Sequence, residues 1–279
     1  MSRFTAGLLC LSLTIGGCTA AADREPTLKL YAFDCGMIRL ESVEWFGIAD
    51  DETDVRDLIV PCYVIEHEKG RLLWDGGLPS ELAEATGWQG DGGMQTRLDR
   101  TLSDQLADLE LDMRSFDYVA FSHMHFDHVG AANEADGAAL IIQKPEHDVA
   151  FSDTASNLGF DSSLYDGFPD SSRVIVDGEH DVFGDGRVRI IPAPGHTPGH
   201  QVLLVDLPNT GPVLLAGDLY HFRFSRENRR VPGFNYDEEM TLASMDRIEA
   251  LVEEAGATLW IEHELAWFEQ LKKAPLYYD

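Results

Sequence analysis

Residues 122–130, Ser-His-Met-His-Phe-Asp-His-Val-Gly, place four potential metal ligands, His123, His125, Asp127 and His128, within six positions. An apolar run from Phe116 to Phe121 leads in, and the small residues Gly130, Ala131 and Ala132 lead out. That order predicts a buried strand, a ligand loop and the start of a helix. Alternation along an extended loop points His123 and His125 the same way and turns Met124 and Phe126 into the body of the protein. Asp127 and His128, at the turn into the helix, face a second point in space. One short loop can therefore serve two metal ions, and a chain carrying it must fold so that other ligands meet it.

Those further ligands are expected where strands end. Pro194-Gly195-His196-Thr197-Pro198-Gly199-His200 follows an apolar run ending at Ile191. Gly217-Asp218 follows Val213 to Ala216, and Glu262-His263-Glu264 follows Leu259 to Ile261. His200 reads as support for its loop. Around them, strands are predicted at Leu28 to Phe33, Cys62 to Glu66, Arg71 to Trp74, Ala139 to Gln143, Arg173 to Val176, Val188 to Ile191 and Val202 to Asp206. Leucines at 98, 102, 106 and 109 predict a helix over 95–109. A second helix is expected over 237–255, with Asp237 as its N-cap and Gly256 just past its end. Two strand-rich halves that each finish in helices imply two packed sheets with helices outside.

Two irregular segments stand out. Residues 37–57 are acidic yet carry Trp45, Phe46 and Ile48, which either fold over a pocket or pack on the sheet. Residues 151–169 are polar but hold Phe151, Phe160, Tyr165 and Phe168, and a lid is one role for so long a loop.

Among the 279 residues the first 22 differ from the rest: Arg3 is their only charge, and Phe4 to Ile15 is largely apolar. This pattern predicts a secretory leader, too short to span a membrane, followed by a single domain over 23–279. Ile15-Gly16-Gly17-Cys18 is similar to a bacterial lipoprotein cleavage box with Cys18 as the lipidated residue, and Ala20-Ala21-Ala22 offers an ordinary cleavage site instead. The expected location is the periplasm, with a lipid anchor as the only membrane attachment. Cys35 and Cys62 remain in the mature chain; an oxidising compartment allows them to pair, but each sits in an apolar strand-like run, and buried free thiols are the expected state. A formal charge of −28 disfavours nucleic acid, whose phosphates would meet like charge almost everywhere.

Taken together, His-x-His-x-Asp-His, Gly-His-Thr-Pro-Gly-His, an Asp after a strand and a late His resemble the metallo-β-lactamase superfamily. The resemblance covers most of residues 28–270. It implies an α+β fold, a four-layer αββα sandwich with metals at one edge of its two sheets. It also implies that His123, His125 and His196 hold one metal, that Asp127, His128 and His263 hold a second, and that Asp218 bridges them. Imidazole and carboxylate suit two zinc ions, although iron, manganese or cobalt occupy similar sets. Such a pair makes a bridging water ionise near neutral pH and polarises the bond it attacks, with Asp127 moving a proton.

Within that superfamily, Leu30-Tyr31-Ala32-Phe33-Asp34-Cys35-Gly36, Phe126 in the ligand loop and Ala216-Gly217-Asp218-Leu219-Tyr220-His221 most resemble the N-acyl-homoserine lactonases. The implied substrate is a small acyl lactone, its tail held by Trp45, Phe46 and Ile48 on one side and Phe222 and Phe224 on the other. Lactonases of this kind carry a Tyr three residues after the bridging Asp, a position filled here by His221 with Tyr220 one place earlier. Either residue then contacts the substrate carbonyl. Thioester, phosphotriester and β-lactam hydrolysis share the same metal chemistry. A mononuclear-iron persulfide dioxygenase and a non-catalytic lipid-anchored binding protein are the readings from other classes. Arg223, Arg226, Arg229 and Arg230 form the one basic cluster, expected to pair with surplus carboxylates rather than to dock a substrate.

Overall fold

In the computed structural model, residues 27–135 and 137–279 are described. The leader, its cleavage sites and Cys18 lie outside the described residues.

A seven-stranded sheet is built from β1 (Leu28–Leu40), β2 (Asp57–His67), β3 (Gly70–Trp74), β4 (Met94–Arg97), β5 (Tyr118–Ala120), β6 (Ala139–Gln143) and β7 (Arg173–Val176), in the order β4-β1-β2-β3-β5-β6-β7. The second sheet contains β8 (His180–Asp181), β9 (Val188–Pro192), β10 (Gln201–Leu207), β11 (Gly211–Leu215) and β12 (Thr258–Trp260), in the order β12-β11-β10-β9-β8. Each sheet mixes antiparallel meanders with parallel pairs, β3–β5–β6–β7 in one and β11–β12 in the other.

Three apolar clusters make four layers from these sheets. Leu30, Tyr63, Leu72 and Trp74 of the first sheet meet Ile190, Leu203, Val213 and Leu215 of the second in a buried central core. On the outer face of the first sheet, Val64, Leu73, Val119 and Leu140 pack on Leu102 and Leu106 of α1 (Leu102–Ala107). The short α2 (Phe126–Val129) and α3 (Lys144–Ala150) follow the parallel strands β5 and β6. Beyond the second sheet and α4 (Arg223–Asn228), α5 (Glu238–Ala255) lays Met245 and Ile248 on Val202, Leu204 and Leu214. The last helix, α6 (Leu265–Phe268), follows β12. The αββα sandwich implied by the sequence is therefore the fold observed.

Local signals explain much of this. Asp237 caps α5 by accepting the Met240 N–H at 2.7 Å, and Gly256 ends it at φ 62°. The helix expected over 95–109 is shorter. β1 runs on to Leu40 and offers an edge on which Met94–Arg97 pairs as a strand. The helix then starts only after Thr101, whose hydroxyl accepts the Asp104 N–H. Leu98, Leu102 and Leu106 are buried all the same.

The free-thiol expectation for Cys35 and Cys62 is corrected. The two form a disulfide, with Cα atoms 5.8 Å apart. Phe33 lies opposite Cys62 in the antiparallel β1–β2 pair, and an irregularity between Asp34 and Met37 brings Cys35 beside its partner. That register is a property of the paired strands and of neither strand alone.

Residues 151–169 form a wall rather than a lid. Phe160, Tyr165 and Phe168 are buried in the outer core, and the Tyr165 hydroxyl donates to the Ala150 carbonyl.

Candidate metal centre

β5 ends at Ala120, and the next residues are held from below by the Asp75–Gly76–Gly77 turn that closes β3. The Ser122 N–H donates to Asp75 Oδ1 at 2.6 Å. Gly76 N–H donates to the His128 carbonyl at 2.6 Å, and Gly130 N–H donates to the Gly77 carbonyl at 2.8 Å. The contact is so close that a Cβ on Gly130 would overlap the backbone of Leu78 and Pro79. His125 occupies the N-cap position of α2, which presents Asp127 and His128 from its first turn. Met124 turns inward as expected, but Phe126 does not: it is half-buried and lines a cavity over the ligands.

Seven ligand candidates from both sheets converge. His196 comes from the loop after β9, Asp218 from the turn after β11, and His263 from the segment after β12. His123 Nε2 lies 2.8 Å from His125 Nδ1, and His196 Nε2 lies 3.1 Å from each of them. Two of these nitrogens are bare because the other ring nitrogen is already engaged. His125 Nε2 donates to the Leu158 carbonyl, and His196 Nδ1 donates to Asn235 Oδ1. His263 Nδ1 likewise donates to the Ile59 carbonyl, leaving Nε2 to face the site.

Asp218 stands between the two groups. Its Oδ2 is 3.3 Å from His196 Nε2, and its Oδ1 is 3.0 Å from His263 Nε2 and 3.5 Å from His128 Nε2. Asp127 Oδ2 approaches His263 and His128 at 3.7 and 3.8 Å. Two sets result, one of His123, His125, His196 and Asp218 and the other of Asp127, His128 and His263.

These donor sets fit divalent cations. His128 Nε2 and Asp218 Oδ1 are buried and make no well-aligned hydrogen bond among the described residues, although His263 Nε2 lies 3.0 Å from that oxygen. Such unsatisfied buried polar atoms are costly unless a cation or water meets them. Burial and the neighbouring imidazoles hold His123 and His196 well below the usual histidine range, which keeps both neutral and ligand-ready. At the second set burial is opposed by Asp127 and Asp218, which push His263 up to about 9 and His128 well above its ordinary value. The carboxylates thus require positive charge at that position.

His200 supports its neighbours, as the sequence suggests. Its Nδ1 donates to the Ala193 carbonyl and its Nε2 accepts the Asp218 N–H at 3.0 Å. His221 and Tyr220 separate. His221 Nε2 is 3.1 Å from Asp218 Oδ2, and its ring lines the cavity. Tyr220 turns the other way and donates its hydroxyl to Glu249 at 2.8 Å, so the structure does not bring it to the site.

Over the ligands lies a cavity of about 260 Å³ walled by Ile38, Leu40, Leu58 and Met94, with Trp45, Phe46, Phe126 and Phe234 around it. Trp45 and Phe46 were expected here. Ile48 and Phe222 are instead buried in the core beneath, where Phe224 packs against them. Phe234 takes the place assigned to Phe222 and Phe224. Its ring stands edge-on to Phe46, His196 and His221 while 47% exposed. The loop that carries it is pinned by Gly233 N–H to the Trp45 carbonyl and Tyr236 N–H to the His196 carbonyl.

Phe234, Asn235, Asp75 and Glu146 are the positions that sequence reasoning missed. Asp75-Gly76-Gly77 is visible only as a turn, and nothing local marks the other three. Glu146 is fully buried, and burial pushes its carboxyl up to about 7 while N–H groups from Gly199 and Met124 pull it back.

The four arginines line or flank a separate cavity of about 530 Å³ on the far side of Asp218 and His263, beside Tyr220, Glu249 and Trp267. Arg226 is paired with Glu249, Arg229 with Asp246 and Arg230 with Glu52. Pairing with carboxylates is therefore what the cluster mostly does.

Comparison with known proteins agrees with this architecture. Residues 55–255 match the family model described as the metallo-beta-lactamase superfamily. N-acyl homoserine lactonase AttM of Azorhizobium caulinodans is 32% identical over 235 residues, covering 80% of this chain and 88% of that protein. The AttM protein of Rhizobium johnstonii is 33% identical over 233 residues, with the same coverage. A crystal structure of a B. thuringiensis AiiA variant with N-decanoyl-L-homoserine bound at the active site superposes with a TM-score of 0.76. It covers 89% of this chain and 98% of its own, at 23% identity, and so speaks to the fold. By its ligand loops, its two packed sheets and these matches, the chain belongs to the metallo-beta-lactamase superfamily.

Proposed function

We propose that the protein opens the lactone ring of N-acyl homoserine lactones at a pair of zinc ions, silencing signals of this class. The observation that carries the reading is the apolar cavity opening directly onto the convergent ligands. Relatives bearing the name N-acyl homoserine lactonase support it. His123, His125 and His196 would hold one ion, Asp127, His128 and His263 the other, and Asp218 would join them. Bound there, the two cations supply an ionised water near neutral pH and polarise the lactone carbonyl.

The chain's own residues do the rest. Ile38, Leu40, Trp45, Phe46, Phe126 and Phe234 take the acyl tail, which sets the ring over the ligands and excludes water from its surroundings. Water oxygen adds to the carbonyl carbon and the ring C–O bond breaks. Asp127, at the cavity floor, accepts the proton and returns it to the departing alkoxide, leaving an acyl-homoserine carboxylate. His221 reaches the carbonyl region from beside Asp218, the place a Tyr holds in the lactonases this chain resembles. Among the described residues no Lys or Arg lines the cavity, so beyond the metals themselves the carboxylates of a glutathione thioester find no counter-charge there.

The test is metal analysis followed by a panel of lactone, β-lactam, thioester and phosphotriester substrates. The expected result is two zinc ions per chain and kcat/KM rising as the acyl chain grows from four to eight carbons. Each buried methylene is worth about 0.8 kcal/mol, roughly fourfold. A flat chain-length profile, or faster turnover of a β-lactam or phosphotriester, would remove the acyl-lactone reading.

Export to the periplasm is part of the same proposal. The leader at 1–22 and the Cys35–Cys62 disulfide support it, because disulfides persist in oxidising compartments. Protein recovered from the native host should begin at a lipidated Cys18 or at Asp23. An intact Met1 would overturn export.

A further inference from the structure

Glu146 is a buried carboxylate that the proposed chemistry leaves unused. It sits in the first turn of α3, which follows β6 of the first sheet. Its Oε1 accepts the Met124 N–H at 3.0 Å, and its Oε2 accepts the Gly199 N–H at 2.8 Å. Met124 lies between His123 and His125. Gly199 lies three residues after His196, in a loop closed on itself by Ala193 N–H to the His200 carbonyl and Gly195 N–H to the Thr197 carbonyl. The first loop leaves the seven-stranded sheet, whereas the second joins β9 to β10 of the other sheet. Gly199 is shaped for this contact, since a Cβ there would overlap the Glu146 backbone nitrogen and Cβ.

We propose that Glu146 is a positioning residue that clasps the two sheets' ligand loops together and so sets the spacing of His123, His125 and His196. Each carboxylate oxygen holds one loop. Asp127, His128 and His263 have other supports, the Asp75–Gly77 turn and the Ile59 carbonyl, and Glu146 donates to or accepts from none of them. The clasp therefore acts on one metal set and not the other. Gln201 ties the same two sheets upstream, through its N–H to the Ser122 carbonyl and its side-chain amide to the Phe121 carbonyl. Loss of the Glu146 clasp thus leaves the sandwich closed and frees only the ligand tips.

The inference rests on the two-metal reading, and its test separates the two. Glu146→Gln keeps the shape but presents an NH2 group to one of the two N–H donors, which breaks one arm of the clasp. Zinc content after dialysis against buffered free metal, and the visible spectrum of the cobalt-substituted protein, are measured for wild type and variants. Wild type should hold two ions. Glu146→Gln should hold one, with 10- to 100-fold weaker binding at the three-histidine set and an unchanged second set, as expected when support for a ligand is lost. Gly199→Ala, which pushes the loop off the carboxylate, should reproduce that pattern. Gln143→Ala, at the end of β6 just before the same helix, removes a tie to Gly178 and touches neither loop, so it should lower the melting temperature yet keep both ions.

Two ions bound with wild-type affinity in Glu146→Gln would overturn the clasp. So would equal weakening at both sets accompanied by a fall in melting temperature like that of Gln143→Ala. A wild type that holds fewer than two ions would bring down the two-metal reading and the clasp with it.

Discussion

Two cavities flank the same pair of strand ends, and the larger one is not the one that holds the metal-ligand residues. The arginine cavity of about 530 Å³ lies on one side of the turns that deliver Asp218 and His263, and the apolar cavity of about 260 Å³ lies on the other. In the first, charge is plentiful but mostly spent: Arg226 grips Glu249 with two bonds of 2.8 Å, and the Tyr220 hydroxyl donates to the same carboxylate. In the second, the walls are mostly hydrocarbon, and the floor carries Asp218 Oδ1, a buried acceptor with no well-aligned hydrogen bond among the described residues. Volume and charge do not mark a reactive site. Convergent imidazoles and carboxylates beneath an apolar wall do, because a buried acceptor such as Asp218 Oδ1 is tolerated where something binds it.

The severest test of that contrast is Asp218→Ala. With the carboxylate that faces both sets removed, kcat/KM on an acyl lactone should fall at least about a thousandfold, since metal polarisation is worth several kcal/mol. At least one metal should be lost with it. Near-normal turnover with two ions bound would move the chemistry away from this floor.

Phe234→Ala sharpens the comparison from the apolar side. Kinetics with four- and eight-carbon tails should show a loss of about tenfold on the longer tail and less than about twofold on the shorter, because only outer methylenes lose their wall. Equal losses on both would place Phe234 in the chemistry instead of in tail recognition.

Glu249→Gln probes the arginine side by pH. Arg226 holds the Glu249 carboxyl below the usual carboxylate range. A depressed acid stabilises the fold above its unfolded value, and the contribution is lost as pH falls through the folded value. Chemical denaturation should therefore show wild type ahead of the variant by at most about 1 kcal/mol near pH 7, since the pair is partly exposed. The gap should close toward pH 3 while kcat stays unchanged. A gap that persists in acid would mean that packing, and not charge, is what Glu249 contributes.

Arg223→Ala is the mildest change. Its N–H donates to Glu264, but among the described residues its guanidinium has no carboxylate partner. Stability should move by less than about 0.5 kcal/mol and the kinetic constants not at all. A drop in kcat/KM would bring the larger cavity into substrate binding and collapse the distinction between the two.

Some of this molecule was determined by sequence alone, because the causes are local. Four ligands in six positions, between an apolar run and small residues, already point to a strand, a loop and a helix start at 116–132. Asp237 and Gly256 delimit α5 through caps that act within a few residues of themselves. The strand ends before His196, Asp218 and His263 are legible for the same reason, since each short apolar run stops where Pro192, Gly217 or Glu262 begins.

What only the tertiary structure decided depends on a neighbour far along the chain. Tyr220 and His221 are adjacent, and the one that faces Asp218 is chosen by Glu249, which draws the Tyr220 hydroxyl to α5. Cys35 meets Cys62 because β1 and β2 pair in one register with an irregularity at Asp34. Residues 95–97, expected as helix, pair as a strand because β1 offers them an edge. Phe234 and Asn235 reach the site only once Gly233 and Tyr236 have found the Trp45 and His196 carbonyls. Periodicity shows which face a side chain takes. It carries no information about what the folded chain has placed opposite that face.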